Sequence, residues 1–131
     1  MPVTLTVHDE TTAGQKGEEF TLDFLTEEIT VRELIRGRIY QEVKDYNTMA
    51  PGLFRGLVEP RGAERELGGY RVRETRRLDW REQYDSAIEA FEKSRILVLV
   101  DDRQAETLDE TIVVRPETRV TFLKLVPLVG G

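Results

Sequence analysis

The chain has 131 residues, 25 acidic against 19 basic side chains, a net charge of -6 and no cysteine. That length suffices for one domain with its own core, and the acidic balance argues against nucleic acid as a partner, because phosphate binding needs a basic face. The missing thiol excludes disulfides, a thiolate nucleophile and thiolate metal sites, and it fits a reducing cytoplasm. No apolar run approaches the roughly 18 residues of a membrane span, and Met1-Pro2-Val3-Thr4 lacks the basic-then-apolar pattern of a secretion signal. No membrane partner is expected.

Val3, Leu5 and Val7 alternate with threonines, the period of a half-buried strand. His8 to Gly17 is polar and reads as a loop. Phe20, Leu22 and Phe24 then alternate again, so the two runs predict an antiparallel hairpin. Thr30-Val31-Arg32-Glu33 has the spacing of a capping box, in which the threonine hydroxyl and the glutamate satisfy free N–H groups at a helix start. Val31, Leu34, Ile35, Ile39, Val43 and Tyr46 follow at helical spacing and make one apolar stripe. Gly37 weakens that helix by up to about 1 kcal/mol relative to alanine, a cost that burial of the stripe outweighs.

Asn47 to Arg77 is the least regular stretch, punctuated by Pro51, Gly52, Gly56, Pro60, Gly62, Gly68 and Gly69. A structureless loop of this length is uncommon in a compact domain. Leu53-Phe54 and Leu57-Val58, with Tyr70 and Val72, form a small hairpin or anchor a loop. Arg71, Arg73, Arg76 and Arg77 read as a solvated face pairing with the abundant acids, or as a docking patch for an acidic partner. A second helix opens at Asp79-Trp80-Arg81-Glu82, again with a capping pattern, and Trp80, Tyr84, Ala87, Ile88 and Phe91 form its stripe.

Ile96 to Val100 is a continuous apolar strand, covered on both faces or offering one face as a contact surface. Asp101-Asp102 marks a turn, Thr107 to Glu110 a short capped turn anchored by Leu108, Ile112 to Val114 a brief strand, and Arg115 to Thr118 another turn. Val120 to Leu123 begins the last strand. Two strands, a helix and further strands predict an α+β fold, a mixed sheet gripping the first helix.

The last strand feeds Pro127-Leu128-Val129-Gly130-Gly131. Pro127 has no N–H and leaves the sheet ladder. Gly130 and Gly131 lack Cβ atoms, so an extended terminus can enter a channel too narrow for side chains. Other chemistry finds little support. His8 is the only histidine, so neither a serine–histidine relay nor a multi-histidine metal site is expected. Asp101-Asp102 and Glu27-Glu28 lack calcium-loop spacing, and Gly68-Gly69 is not followed by the residues of a phosphate loop.

The element order and the diglycine end resemble the ubiquitin-like β-grasp family over about 1–46 and 95–131, with Pro127 to Gly131 similar to the sulfur-carrier branch. The resemblance implies a single ubiquitin-like domain spanning 1–131, a mixed sheet packed on one central helix. It carries an inserted loop region and second helix at about 47–94 and a flexible tail over about 126–131. It further implies a carrier or modifier of bacterial type rather than an enzyme. An E1-like adenylating enzyme would activate the Gly131 carboxylate with ATP and magnesium, neither held by this chain. An E2-like conjugating enzyme would pass it to a protein target and a deconjugating protease would release it; in the sulfur-carrier branch the adenylate becomes a thiocarboxylate. A third alternative is a non-conjugated β-grasp interaction domain. With nothing after Gly131, no protease is expected to expose the terminus. Leu99 and Leu123 fall where the family carries an exposed apolar patch, and with Pro127, Leu128 and Val129 they are the implied partner-binding residues. The competing reading has the helix at 79–94 cover that face. The arginines of ubiquitin's own tail have no counterpart in Val126 to Val129, so partner choice must differ.

Overall fold

The alternation at the N-terminus forms strand β1 (Val3–Thr11), paired antiparallel with β2 (Phe20–Phe24) so that Val3 lies opposite Phe24 and Val7 opposite Phe20. These coordinates are a computed structural model that describes residues 2–49, 53–54, 56–60, 63–66, 69–71 and 77–125. Strand β1 is longer than its apolar alternation, and the expected loop begins only after Thr11. The reason is a distant partner. Residues Thr6 to Thr11 pair in parallel with the last strand, β10 (Arg119–Lys124), a pairing that local sequence does not reveal.

Between them runs α1 (Val31–Met49), preceded by β3 (Glu28–Thr30), which pairs with β9 (Thr111–Val113). The expected stripe, Val31, Leu34, Ile35, Ile39, Val43 and Tyr46, is buried throughout. The Glu33 N–H donates to Thr30 Oγ1 at 3.0 Å, and the Thr30 hydroxyl faces Glu33 Oε1 at 3.4 Å. The turn around the buried Leu108 completes the cap. Val31 N–H donates to the Glu110 carbonyl and Arg32 N–H to the Leu108 carbonyl, each at 3.0 Å. Three of the free N–H groups at the helix start therefore have partners. Gly37 has a packing reason: a Cβ there would lie 3.0 Å from the Phe24 ring, so glycine lets α1 close onto β2.

Strand β7 (Ile96–Val100) runs antiparallel to β10, and β8 (Arg103–Ala105) antiparallel to β7 after a turn in which Asp101 takes φ 54. Aspartate tolerates that left-handed conformation better than most residues. The result is a mixed five-stranded sheet in the order β2-β1-β10-β7-β8, the first and last strands parallel at its centre. One face, with Leu5, Val7, Val98, Val100, Val120 and Phe122, meets α1 in the core.

The described residues between α1 and β7 include three short strands and a helix. Strands β4 (Leu53–Phe54), β5 (Glu64–Glu66) and β6 (Gly69–Arg71) form a small antiparallel sheet in which Phe54 pairs with Tyr70; Leu57 and Val58 are buried outside any strand, and Val72 lies outside the described residues. Helix α2 (Trp80–Glu92) follows, its Asp79 cap accepting from the Arg81 N–H at 3.0 Å. Its buried line is Gln83, Ala87 and Phe91, while Trp80, Tyr84 and Ile88 are half-buried. The expected stripe is thus rotated, because α2 packs against the flank of α1, Trp80 edge-on to Tyr40 at 5.7 Å. Polar side chains stitch the region down. Asn47 brackets Leu78, accepting from its N–H at 2.7 Å and donating to its carbonyl at 3.0 Å, and the Gln83 amide donates to the Val58 carbonyl at 3.3 Å. Arg71 and Arg77 are exposed; Arg73 and Arg76 lie outside the described residues. Among the described residues no helix is long and apolar enough to cross a membrane.

Candidate functional site

The C-terminal strand leaves the sheet at a well-anchored point. The Lys124 carbonyl accepts from the Thr12 N–H, and the Leu125 N–H donates to the Arg95 carbonyl, both at 3.0 Å. Leu125 is the last described residue. Pro127, Leu128, Val129, Gly130 and Gly131, which carry the expected activation chemistry, lie outside the described residues.

Leu99 and Leu123 lie on the sheet face opposite α1. Pairing across the strands sets His8, Thr121, Leu99 and Gln104 in one row and Glu10, Leu123 and Leu97 in the next. Leu97, Leu99 and Leu123 are half-buried. The strict alternation of buried and half-buried residues along β7 follows from this two-sidedness. Helix α2 sits against α1 on the other side of the sheet, so it does not make Leu99 and Leu123 part of the core.

The same face holds a constellation that sequence reasoning discarded. His8 Nε2 lies 3.0 Å from Glu10 Oε1 and 3.3 Å from Thr121 Oγ1. A hydroxyl, an imidazole and a carboxylate are therefore adjacent. Yet both contacts use one ring nitrogen, whereas a relay needs the hydroxyl on one nitrogen and the carboxylate on the other. The arrangement orients the ring without activating Thr121. The signal for it was the phase of the alternation, since His8 and Glu10 share the face of Thr4 and Thr6.

Beneath the opposite face lies a buried ionic cluster, also missed. Arg38 of α1 is only 2 % exposed, and its guanidinium forks onto the Asp9 carboxylate, with Nη2 to Oδ2 at 2.7 Å. Its Nε donates to Glu42 Oε2 at 3.1 Å, and its plane lies against the Phe122 and Phe20 rings, 4.6 and 5.1 Å from their centroids. From β10, Lys124 Nζ donates to the Gly56 carbonyl at 3.0 Å and stands 3.9 Å from Asp9 Oδ2. Glu42 Oε1 accepts from the Leu57 N–H at 3.1 Å. Burial pushes the Glu42 carboxyl up, more than Arg38 and the Leu57 N–H pull it down. Burial also holds the Lys124 ammonium below its usual range, against the pull of Asp9. For Arg38 burial is again the largest influence and opposes the charge, but Glu42 and Asp9 together outweigh it and raise the guanidinium further. The cluster pairs two cations with two anions at the edge of the core, Arg38 buried and Asp9, Glu42 and Lys124 half-buried, and a buried guanidinium is tolerated there because it is paired.

A hollow of about 550 Å³ beside α2 is lined by Glu59, Asp79, Arg81, Glu82, Asp85 and Ser86. Among the described residues no group of three or more histidine, aspartate or glutamate side chains is placed to hold a metal ion.

The fold class is α+β, a mixed five-stranded sheet with one helix in its concave face and a second helix on that helix's flank. Comparison with protein-family models, with curated proteins and with solved structures returns no match for this chain.

Proposed function

We propose that the chain is a ubiquitin-like β-grasp modifier, activated through its terminal carboxylate and acting in the cytoplasm. The observation that carries this reading is topological. The first and last strands are parallel neighbours at the centre of a five-stranded sheet, with α1 across one face, and the last strand leads directly to the segment ending in Gly130-Gly131.

The chemistry follows from the carboxylate. It is a poor acyl donor, because its leaving group would be oxide. An oxygen of the Gly131 carboxylate attacks the α-phosphorus of ATP on an adenylating enzyme with magnesium. Pyrophosphate leaves, and an acyl adenylate forms. A cysteine thiolate of the enzyme, since this chain has none, displaces AMP to give a thioester. A conjugating enzyme carries the thioester onward, and a target amine displaces the thiolate to give an amide that a deconjugating protease reverses. The chain itself contributes no catalytic group. Pro127, Leu128 and Val129 lie in the enzyme's channel, and Leu99 and Leu123 on the open sheet face dock against its partners.

Two measurements test this. An affinity-tagged chain, recovered from its own cells under denaturing conditions, is expected in amide-linked adducts, and a chain lacking Gly131 is not. Equal recovery of adducts from both rejects the proposal. Intact mass of the free form distinguishes a sulfur carrier, which would show sulfur in place of one terminal oxygen.

A further inference from the structure

One peptide unit in the insertion is held from both sides by the buried cluster. The Gly56 carbonyl accepts from Lys124 of β10, and the next N–H, that of Leu57, donates to Glu42 of α1. Space favours glycine at position 56. A Cβ would fall 2.0 and 2.1 Å from atoms of the Phe54 ring and 2.9 Å from Glu42 Oε1. The apolar neighbours seat the same turn, with Phe54, Leu57 and Val58 buried and Phe54 edge-on to Tyr46 at 5.5 Å. Lys124 is also the residue whose carbonyl, held by the Thr12 N–H, ties the end of β10 to β1. A single side chain thus joins the docked turn to the point where the C-terminal segment leaves the sheet.

We propose that Lys124 and Glu42 form a latch that couples the turn at Gly56–Leu57 to the end of β10, so that a partner lifting the turn loosens the root of the C-terminal segment. The electrostatics make the latch two-state. Lifting the turn removes the Gly56 carbonyl from Lys124 and the Leu57 N–H from Glu42. This leaves a half-buried ammonium and a half-buried carboxylate with fewer bonds, and a partly satisfied network is worse than a fully paired one. The loss falls on half-buried Lys124, whose side chain swings toward water and so takes its stem from beneath the end of β10. Coupling of this kind is reciprocal, so loosening β10 must also release the turn. The latch stands whether or not Gly131 is ever conjugated.

Residue-resolved amide hydrogen exchange tests it on the full chain. Lys124→Met keeps the apolar stem and removes the ammonium. The Leu57 amide, two bonds of the cluster away, is expected to exchange roughly tenfold faster or more, the size of one lost charge-assisted hydrogen bond. Gly56→Ala displaces the turn through Phe54 and Glu42 without touching the five-stranded sheet, and the Thr12 and Leu125 amides are expected to speed up several-fold. The Ile39 amide inside α1 reports global unfolding and should change less than the others in both variants, as should every one of these amides in Lys93→Met, which alters only a surface pair with Glu89. An unchanged Leu57 amide in Lys124→Met overturns the proposal. So does a Gly56→Ala chain in which Leu57 opens while Thr12 and Leu125 stay protected, or one in which Ile39 rises as much as they do.

Discussion

Helix α1 buries Val31, Leu34, Ile35 and Ile39 completely in the concave face of the sheet, whereas α2 leaves Trp80, Tyr84 and Ile88 half covered on the flank of α1. Both have aromatic or aliphatic residues at helical spacing and both open on a capping pattern. They differ in what surrounds them. Helix α1 is enclosed by β1, β2, β10 and the insertion, and its start is held by the turn at 107–110. Helix α2 has one helical neighbour, with Tyr40 and Trp80 in contact, and the end of β7. The periodicity of a helix reports which side is inside, but not how many elements share the inside. Arg38 is buried on the covered side of α1 because there carboxylates and aromatic faces arrive from separate elements, Asp9 from β1 and Phe122 from β10.

The largest test of that contrast is Arg38→Met. It keeps an apolar stem of similar length but leaves Asp9 and Glu42 half-buried with only the more distant Lys124 as a cation. Breaking a buried pair by removing one partner costs about 3–5 kcal/mol. The substitution should therefore lower the urea midpoint more than any single charge removal on α2, where ion pairs such as Glu89–Lys93 at 2.5 Å are exposed. Surface pairs contribute about 0–1 kcal/mol. A loss at Arg38 no larger than that of Lys93→Met would mean that α1 is not enclosed as described.

Intermediate in size is Glu42→Gln. Glu42 uses one oxygen for the Leu57 N–H and the other for Arg38. An amide has one acceptor, so one bond is lost and a donor faces a donor. The cost at neutral pH is about 1–3 kcal/mol. The pH dependence is more diagnostic. Burial raises the folded carboxyl above 4.5. A group raised on folding contributes stability that is complete below its unfolded value and is lost as pH rises through its folded value. The groups facing it are Arg38 on α1, Asp9 on β1 and Lys124 on β10, and these are present in both proteins. Lowering the pH from neutral towards 4.5 should thus widen the stability gap in favour of the wild type. Carboxylates such as Glu110, which Arg103 holds low, lose their contribution in acid equally in both. A gap that stays flat with pH, followed by urea unfolding at several pH values, would contradict a buried, raised Glu42.

The same contrast shows what was legible in the sequence. The α1 stripe was readable residue by residue, as were the first hairpin, the Leu108 turn and the strand at 96–100, because each is written in local periodicity or turn chemistry. The buried cluster was written there too, as charge in phase with apolar residues. Asp9 continues Val3, Leu5 and Val7, Lys124 continues Val120 and Phe122, and Arg38 and Glu42 lie within the stripe of Ile35, Ile39 and Val43. Asp9 and Lys124 alone read as solvated strand ends, and Arg38 and Glu42 as part of a helix's solvated face. Only the sheet, which sets β1 beside β10 under α1, shows that the four point to one place. The extension of β1 past His8 and the pairing of β3 with β9 depended on partners far along the chain, so no local pattern announced them. The rotation of the α2 stripe depended on packing against the flank of α1, where the buried Gln83 donates to the Val58 carbonyl.

The smallest expected effect is at the helix starts. Replacing a capping threonine or aspartate by alanine typically costs about 1 kcal/mol. Asp79→Ala should show close to that value, because the bond from the Arg81 N–H is the side-chain cap α2 has. Thr30→Ala removes one of three partners at the start of α1 and leaves the backbone bonds from Val31 and Arg32 to the 107–110 turn in place. Those bonds keep the first turn in register even when the hydroxyl is gone, so the Glu33 N–H can turn to water without fraying its neighbours. Thr30→Ala should therefore cost less than Asp79→Ala, and amide exchange should stay slow at Arg32 but accelerate at Arg81. The reverse order would locate the weaker helix start at α1, and the turn around Leu108 would then not be acting as its cap.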